Sequence, residues 1–363
     1  MDIVGIGRGL IADPEWVKKI EHDETDILRK CISCNVGCAG NRIGINRPIR
    51  CTVNPAVPEG DIYKRLRVNK NCNVVVIGGG TAGLEAACTA AEVGCNVFLF
   101  EKSDKLGGLS EFISDLPGKT RMKDFPRYLR TRAERLPNLY TFLNTEASIE
   151  EINKFHPDIV VNATGSHPVV PPIPGLRENR AAGNLDDIFI MINNVNAGKY
   201  PEEFCRGKKV LVMGGGAVGL DIIEYFAPLG ADCTIVDMLP TIGAVADPIT
   251  KCSIKETFEV NHVKQYVNTA IQEVKEHSIV VKTPEGNVEE LEFDLGFSAL
   301  GLAAYNPILD ELHKEYDDTD VDVYNIGDSV RARHIMEGTM DGRAILNVLD
   351  KRGLLDLSEI ELA

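Results

Sequence analysis

Four cysteines stand close together near the start of the chain, as Cys31-x2-Cys34-x3-Cys38-x12-Cys51. Thiolates are the protein ligands of iron–sulfur clusters, and three closely spaced cysteines with a fourth further on suit a 4Fe–4S group. Structural zinc more often takes two CxxC pairs, or histidines at fixed spacing. Neither lies near this run, so the cluster is the favoured reading, with zinc and free thiols as the alternatives. The other six cysteines, Cys72, Cys88, Cys95, Cys205, Cys233 and Cys252, are scattered through strand-like and helix-like segments. They are expected to be small buried apolar side chains.

The second chemical signal is a repeat. Residues 74–101 read VVVIGGGTAGLEAACTAAEVGCNVFLFE and residues 210–237 read VLVMGGGAVGLDIIEYFAPLGADCTIVD, and the two align without a gap. Each is a β-branched run, a glycine turn, a helix-period stretch, a glycine stop and a second β-branched run ending in an acid. In the first, Gly78 makes the tight turn, Gly80 lets backbone approach a pyrophosphate and Gly83 lets helix and strand pack closely. The helix start offers free N–H groups and a partial positive charge, and Glu101 can accept from a ribose hydroxyl pair. Gly214, Gly216, Gly219 and Asp237 repeat the logic. A carboxylate at Asp237 bonds the 2′-hydroxyl of NAD and opposes the 2′-phosphate of NADP. No Lys or Arg stands between Asp237 and Lys251 to offset it, so NADH is favoured and NADPH is the alternative. A third turn, Gly327–Asp328, follows a strand-like run, and its acid could bond the ribityl or phosphate part of a flavin.

These turns need parallel strands joined by helices, so the expected fold is α/β with two doubly wound, Rossmann-like dinucleotide-binding domains. The runs DIVVNATGSHP (158–168), FDLGFSALGL (293–302) and VDVYNIGDS (321–329) each read as a strand ending in a glycine turn, PPIPG (171–175) as a stiff linker, and residues 279–294 as a hairpin or meander. Residues 29–60 form a loop-rich cysteine module. Residues 1–28 give a short strand, IVGIG, and a helix, IADPEWVKKI, which is too little for a domain. A formal net charge of -15 over 363 residues opposes binding to nucleic acid or anionic membranes. No apolar run approaches the roughly 20 residues of a membrane span and no signal peptide is evident, which points to the cytoplasm. The seven histidines are dispersed, mostly as expected surface residues, and no side chain is assigned as a catalytic acid or base. No close cysteine pair follows the first repeat's helix, so a redox-active dithiol is not expected.

The order of the motifs resembles the NADH:flavin oxidoreductases related to 2,4-dienoyl-CoA reductase, 2-enoate reductase and trimethylamine dehydrogenase. The resemblance rests on VGIGRGLIADPEW (4–16), CISCNVGC (31–38), CTVNPAV (51–57), VVVIGGGTAGLEAA (74–87), EKSDKLGG (101–108), NATG (162–165), VLVMGGGAVGLD (210–221), ALGL (299–302) and IGDSVRARHIMEGTMDGRAI (326–345). It implies FAD held by Gly78, Gly80, Gly83, Glu101, Gly108 and the Gly327–Asp328 turn. It also implies NAD(H) on Gly214, Gly216, Gly219 and Asp237, and a 4Fe–4S cluster on Cys31, Cys34, Cys38 and Cys51. The implied domains are a remnant of the last strand and helix of an Old Yellow Enzyme-type barrel (1–28), the cluster module (29–60), a split FAD domain of the disulfide-reductase type (61–171 and 297–363) and an inserted NAD(P) domain (172–296). Such a barrel needs about 250 residues. FMN is therefore expected only with a barrel from a longer form or a partner polypeptide, and homo-oligomers are a further expected assembly. The rival readings are an electron-transfer subunit like the small chain of glutamate synthase and a non-catalytic nucleotide-binding module.

Overall fold

The computed structural model describes residues 3–57, 59–244, 246–356 and 358. The chain divides into two compact units, Met1–His167 with Ala303–Ala363, and Pro168–Leu302.

The first unit is built on strands β1 (Asn73–Ile77), β2 (Asn96–Phe100), β3 (Leu139–Phe142) and β4 (Ile159–Asn162), with helix α1 (Thr81–Glu92) crossing from β1 to β2 and α2 (Asp124–Glu134) leading into β3. β1 reads NVVVI because both of its faces are covered. Val74 and Val76 enter one core with Val97, Leu99, Ile159 and Val161. Val75 and Ile77 enter the other with Phe100 and Val160. α1 carries mostly Ala, Gly and Thr, so its axis can lie close to the sheet.

The second unit repeats the plan. β5 (Leu185–Asp186), β6 (Lys209–Met213), α3 (Ala217–Phe226), β7 (Asp232–Val236) and β8 (Lys264–Tyr266) precede an antiparallel meander of β9 (Ala270–Val274), β10 (Ser278–Lys282) and β11 (Val288–Glu292). β12 (Leu295–Ser298) then returns to pair in parallel with both β6 and β5, giving the order β8-β7-β6-β12-β5. Because β12 is an inner strand of this sheet, the second unit continues past residue 296 to Leu302. The chain then adds β13 (Asp322–Asn325) beside β4, completing the order β13-β4-β1-β2-β3 in the first unit, followed by helix α4 (Ile335–Arg343). All neighbours in both five-stranded sheets are parallel.

Some expectations are corrected. IVGIG forms no strand, since it has no partner to complete a ladder. Ile3 and Val4 are 88% and 67% exposed, whereas Ile6 is half-buried. The helix expected over IADPEWVKKI is two short helices, Arg8–Ala12 and Trp16–Glu21. Asp13 between them is extended, as a residue before proline must tend to be. Beyond Asp328 the chain forms α4 and a separate helix, Ile345–Lys351. Five of the six scattered cysteines are buried, but Cys252 is exposed, on the outer side of the helix Pro248–Val260.

A buried charge network holds the helices of the first unit. Glu85 on α1 takes Arg132 of α2 at 2.7 Å and Arg343 of α4 at 2.7 Å. Arg132 also clasps Glu92 at 2.7 and 2.8 Å, Glu92 accepts from the Tyr63 hydroxyl at 2.7 Å, and Arg343 lies over the Tyr63 ring. Burial alone would push the Glu85 carboxyl up, yet the two guanidiniums hold it below the usual range. The Glu85→Gln variant should lower stability by about 3–5 kcal/mol, because two buried cations then share too few carboxylates; a shifted denaturant midpoint reads this out. Burial also acts to raise Glu92, but Arg132 and the hydrogen bonds from Arg132 and Tyr63 bring it down from 4.5 to about 2. A carboxyl depressed on folding stabilises above its unfolded pKa, and that stabilisation is lost as pH falls. Unfolding free energy should therefore decline by about 3 kcal/mol between pH about 4.5 and about 2, and this decline should be much reduced in Glu92→Gln.

Candidate functional site

In the first unit, the glycine turn is dictated by close backbone approach. Gly78 sits at φ +104, and a Cβ there would lie 2.3 Å from the Ala163 carbonyl oxygen. A Cβ at Gly83 would lie 1.9 Å from the Gly78 oxygen, so only glycine lets α1 start this near to β1. Gly80 N-caps α1 with no side-chain partner, leaving the first-turn N–H groups directed out of the helix. The loop at Gly107–Gly108 closes over it: Gly107 N–H donates to the Gly79 carbonyl at 2.8 Å, and a Cβ on Gly108 would sit 2.9 Å from Gly80 Cα. The walls of this slot are therefore backbone. Glu101, at the end of β2, accepts from Gly79 N–H at 2.7 Å through Oε2, and from Ser103 N–H and Oγ through Oε1 at 2.8 and 2.7 Å. The carboxylate is thereby held at the mouth of the turn with lone pairs left for a further donor.

Gly327 belongs to the same constellation, since a Cβ on it would lie 2.7 Å from Ala82 in the first turn of α1. Asp328 accepts from Arg333 N–H at 3.0 Å and Ser166 Oγ at 3.2 Å, and burial pushes its carboxyl up. The structure thus brings Gly78, Gly80, Gly83, Glu101, Gly108 and Gly327 around one helix start. Sequence reasoning missed the support of the Gly327 turn. Asn162 Nδ2 donates to Asn306 and Asn325 at 3.0 and 2.9 Å, and Asn306 Nδ2 donates to the Ser329 carbonyl at 2.6 Å. The available signal was an asparagine ending each of two apolar strands, β4 and β13.

The second unit reproduces the first turn. Gly214 at φ +109 faces the Ala299 oxygen, 2.2 Å from where a Cβ would stand, and Gly219 faces the Gly214 oxygen at 1.9 Å. Gly216 N-caps α3, again without a side-chain partner. Asp237 accepts from Gly215 N–H at 2.5 Å and Leu239 N–H at 2.7 Å, the scheme of Glu101 with a shorter acid.

Cys31, Cys34, Cys38 and Cys51 are half-buried and line one pocket in the first unit, with Arg8, Ile11, Gly37, Thr52 and Val53 among their neighbours. Ser33 N–H points at Cys31 Sγ at 3.4 Å, Val36 N–H bonds Cys34, and the N–H groups of Val53 and Asn54 bond Cys51. Ser33 and Asn35 both adopt φ 58, the left-handed region that non-glycine residues rarely occupy. Residues Val36–Gly44 wind as a π-helix, a form often found at functional sites. Burial pushes the Cys34 and Cys51 thiols up, outweighing the hydrogen bonds they accept. Among the described residues, no three His, Cys, Asp or Glu side chains converge as ligands of one metal ion. No helix among them is long and apolar enough to cross a membrane.

Comparison with known proteins places this geometry. The family description "Pyridine nucleotide-disulphide oxidoreductase" matches residues 130–335, more than half of the chain. The chain belongs to this family. A second description, "FAD dependent oxidoreductase", matches residues 73–112, which hold the first glycine turn and Glu101. NADH oxidase from Thermoanaerobacter brockii is 36% identical, over 94% of this chain and 51% of its own length. Bilirubin reductase from Mediterraneibacter gnavus is 33% identical, over 96% of this chain and 52% of its own. Among solved structures, 2-naphthoyl-CoA reductase with 2-naphthoyl-CoA superimposes with a TM-score of 0.80 at 28% identity, covering 94% of this chain and 50% of that one. The chain spans about half the length of these relatives. Its fold is the α/β, parallel-sheet fold of FAD- and NAD(P)-linked oxidoreductases.

If Asp237 selects against a 2′-phosphate, Asp237→Ser should shift the ratio of kcat/KM for NADH over NADPH by about tenfold toward NADPH. Steady-state kinetics with both nucleotides, in the presence of an artificial dye acceptor, measures that ratio.

Proposed function

We propose that this chain is an electron-transfer module that takes hydride from NADH onto FAD and releases electrons singly through a 4Fe–4S cluster. The observation that carries the proposal is the pocket of four cysteines in the unit that also holds the first dinucleotide turn. The donor set fits such a group. Four soft ligands line one pocket, and backbone N–H groups are directed at three of the four sulfurs. Cys31, Cys34, Cys38 and Cys51 are the proposed ligands.

Bound, the two groups would supply the change from two-electron to one-electron chemistry. The chain's own residues bind and orient. The N–H groups at Gly80 and the start of α1 meet a pyrophosphate, Glu101 accepts from the adenosine ribose, and Gly108 keeps the slot narrow. Gly327 and Asp328 face the remainder of the flavin nucleotide. Gly214, Gly216, Gly219 and Asp237 do the same for NADH, and NADPH is disfavoured by Asp237. No side chain is needed as an acid or base for hydride transfer itself.

The resemblance to the enoate and dienoyl-CoA reductase group extends the proposal. By that resemblance residues 1–28 correspond to the end of an FMN barrel, 29–60 to the cluster module, 61–171 with 303–363 to the FAD domain, and 172–302 to the NAD(P) domain, the inserted unit ending at Leu302. Reduction of an enoyl-type substrate would then require FMN in barrel residues supplied by a longer form or a partner chain. The relatives named as NADH oxidase, bilirubin reductase and cinnamate reductase differ in their acceptors, which suits a shared electron-input half. A cytoplasmic location accords with this chemistry.

An anaerobic visible spectrum before and after stoichiometric NADH tests the proposal. Flavin bands with a broad iron–sulfur shoulder, both bleaching, are expected. In Cys34→Ser, flavin bleaching should persist while reduction of a one-electron acceptor falls at least about 100-fold. A folded, colourless protein would leave only a nucleotide-binding shell.

A further inference from the structure

The cysteine module is a basic island on an acidic protein. Between Ile27 and Pro58 there is no Asp or Glu, while Arg29, Lys30, Arg42, Arg47 and Arg50 fall within that stretch, in a chain of net charge -15. The fold adds two more cations to the cysteine loop from outside it. Arg8 donates to Asn35 Oδ1 at 2.5 Å, and Arg121 donates to Ser33 Oγ at 2.8 Å. The partners of these guanidiniums are neutral oxygens: Arg42 donates to Asn46 Oδ1 at 2.8 Å and Arg50 to the Val57 carbonyl at 3.0 Å. Among the described residues, no carboxylate forms an ion pair with Arg8, Arg42, Arg47, Arg50 or Arg121. Elsewhere in the same unit, arginines are drawn into pairs, as at Arg130, Arg132, Arg135 and Arg343.

The segment between Cys38 and Cys51 adds apolar surface to this charge. Arg42 and Arg47 are exposed, and between them Ile43 and Ile45 are 69% and 58% exposed. Two unpaired arginines flanking two exposed isoleucines have the composition of a docking patch, where guanidiniums and apolar anchors supply binding and charged rims steer encounter. The chain as a whole carries a net charge of -15, so an acidic macromolecule meets overall repulsion that this stretch, free of Asp and Glu, locally offsets.

We propose that the exposed segment carrying Arg42 and Arg47, with Ile43 and Ile45 between them, is the docking surface for an acidic redox protein. The assignment of its partner as a redox carrier rests on the proposed electron exit through the four cysteines, which lie in the pocket that Arg8 helps to line. The face itself rests on charge and exposure alone. Docking here would bring the carrier's one-electron centre near the thiols, and electrostatic steering would make association fast and dependent on salt.

The test uses the full chain, with its iron content assayed, and plant-type 2Fe–2S ferredoxin as the acidic probe. Binding is followed by biolayer interferometry from 20 to 300 mM salt. Binding that weakens with salt is expected, with Kd at least about tenfold higher in Arg42→Glu/Arg47→Glu, mainly through a slower association rate. Arg42→Lys/Arg47→Lys should stay within about threefold of the parent. Four results would overturn the proposal: no binding by the iron-loaded parent, equal affinity in the charge-reversed variant, equal binding of a basic protein such as cytochrome c, or a parent dimer that the reversal converts to monomer. The last would mean that a second copy of the chain covers the face. Iron-free protein that still binds the probe would remove the electron-exit reading and leave the surface standing. Iron-loaded protein that fails to bind would do the reverse.

Discussion

Glu85 is the side chain on which the first unit turns. It lies in the middle of α1, fully enclosed, and its carboxylate is shared by an arginine from α2 and another from α4. Desolvating three charges is costly, and an arrangement of this kind is retained only when geometry satisfies every partner. Here Glu92, Tyr63 and Thr89 complete the set. Because α1 begins at the first glycine turn, the same network that ties three helices together also fixes where the helix start points. Gly342 presses the point further, since a Cβ there would lie 2.5 Å from the Ala82 carbonyl. Charge and close packing thus act on the same stretch of one helix.

What was legible in the sequence follows from how local each constraint is. Gly78, Gly83, Gly214 and Gly219 are required because a Cβ would strike backbone a few residues away or at the next strand end, so the demand is written as a fixed spacing. Strands buried on both faces show as unbroken β-branched runs for a similar reason. The Glu85 network could not be read, because its members stand at 63, 85, 92, 132 and 343, and each charged one alone resembles a surface charge. The helix break at Asp13–Pro14 was legible but was outweighed by the helical spacing around it. The left-handed Ser33 and Asn35 were not legible, since neither residue type demands that conformation.

The two dinucleotide turns show how much of a binding site is backbone. Glu101 and Asp237 hold the same pair of N–H groups, one from the glycine turn and one two residues beyond the acid. The acids therefore first brace their own turns, and recognition of a ribose would reuse oxygens already fixed in place. A site of this kind is preorganised by the chain that carries it, which limits the ordering cost on binding.

The return of the chain to β13 has a consequence for how the protein is made. β13 pairs with β4 residue for residue, Asp322 with Ile159 through Asn325 with Asn162, across about 160 residues of intervening sequence, a separation that slows folding through loop-closure entropy. During synthesis, the first four strands of the sheet emerge long before the fifth, leaving β4 with an open edge. The inserted unit has its own core around Leu211, Met213, Ile279 and Phe293, so it can collapse while that edge waits. Its collapse shortens the effective loop that β13 must close. The insertion is thus an aid to assembly as well as a second binding domain, and the open β4 edge is the stage at which misassembly between nascent chains is most exposed.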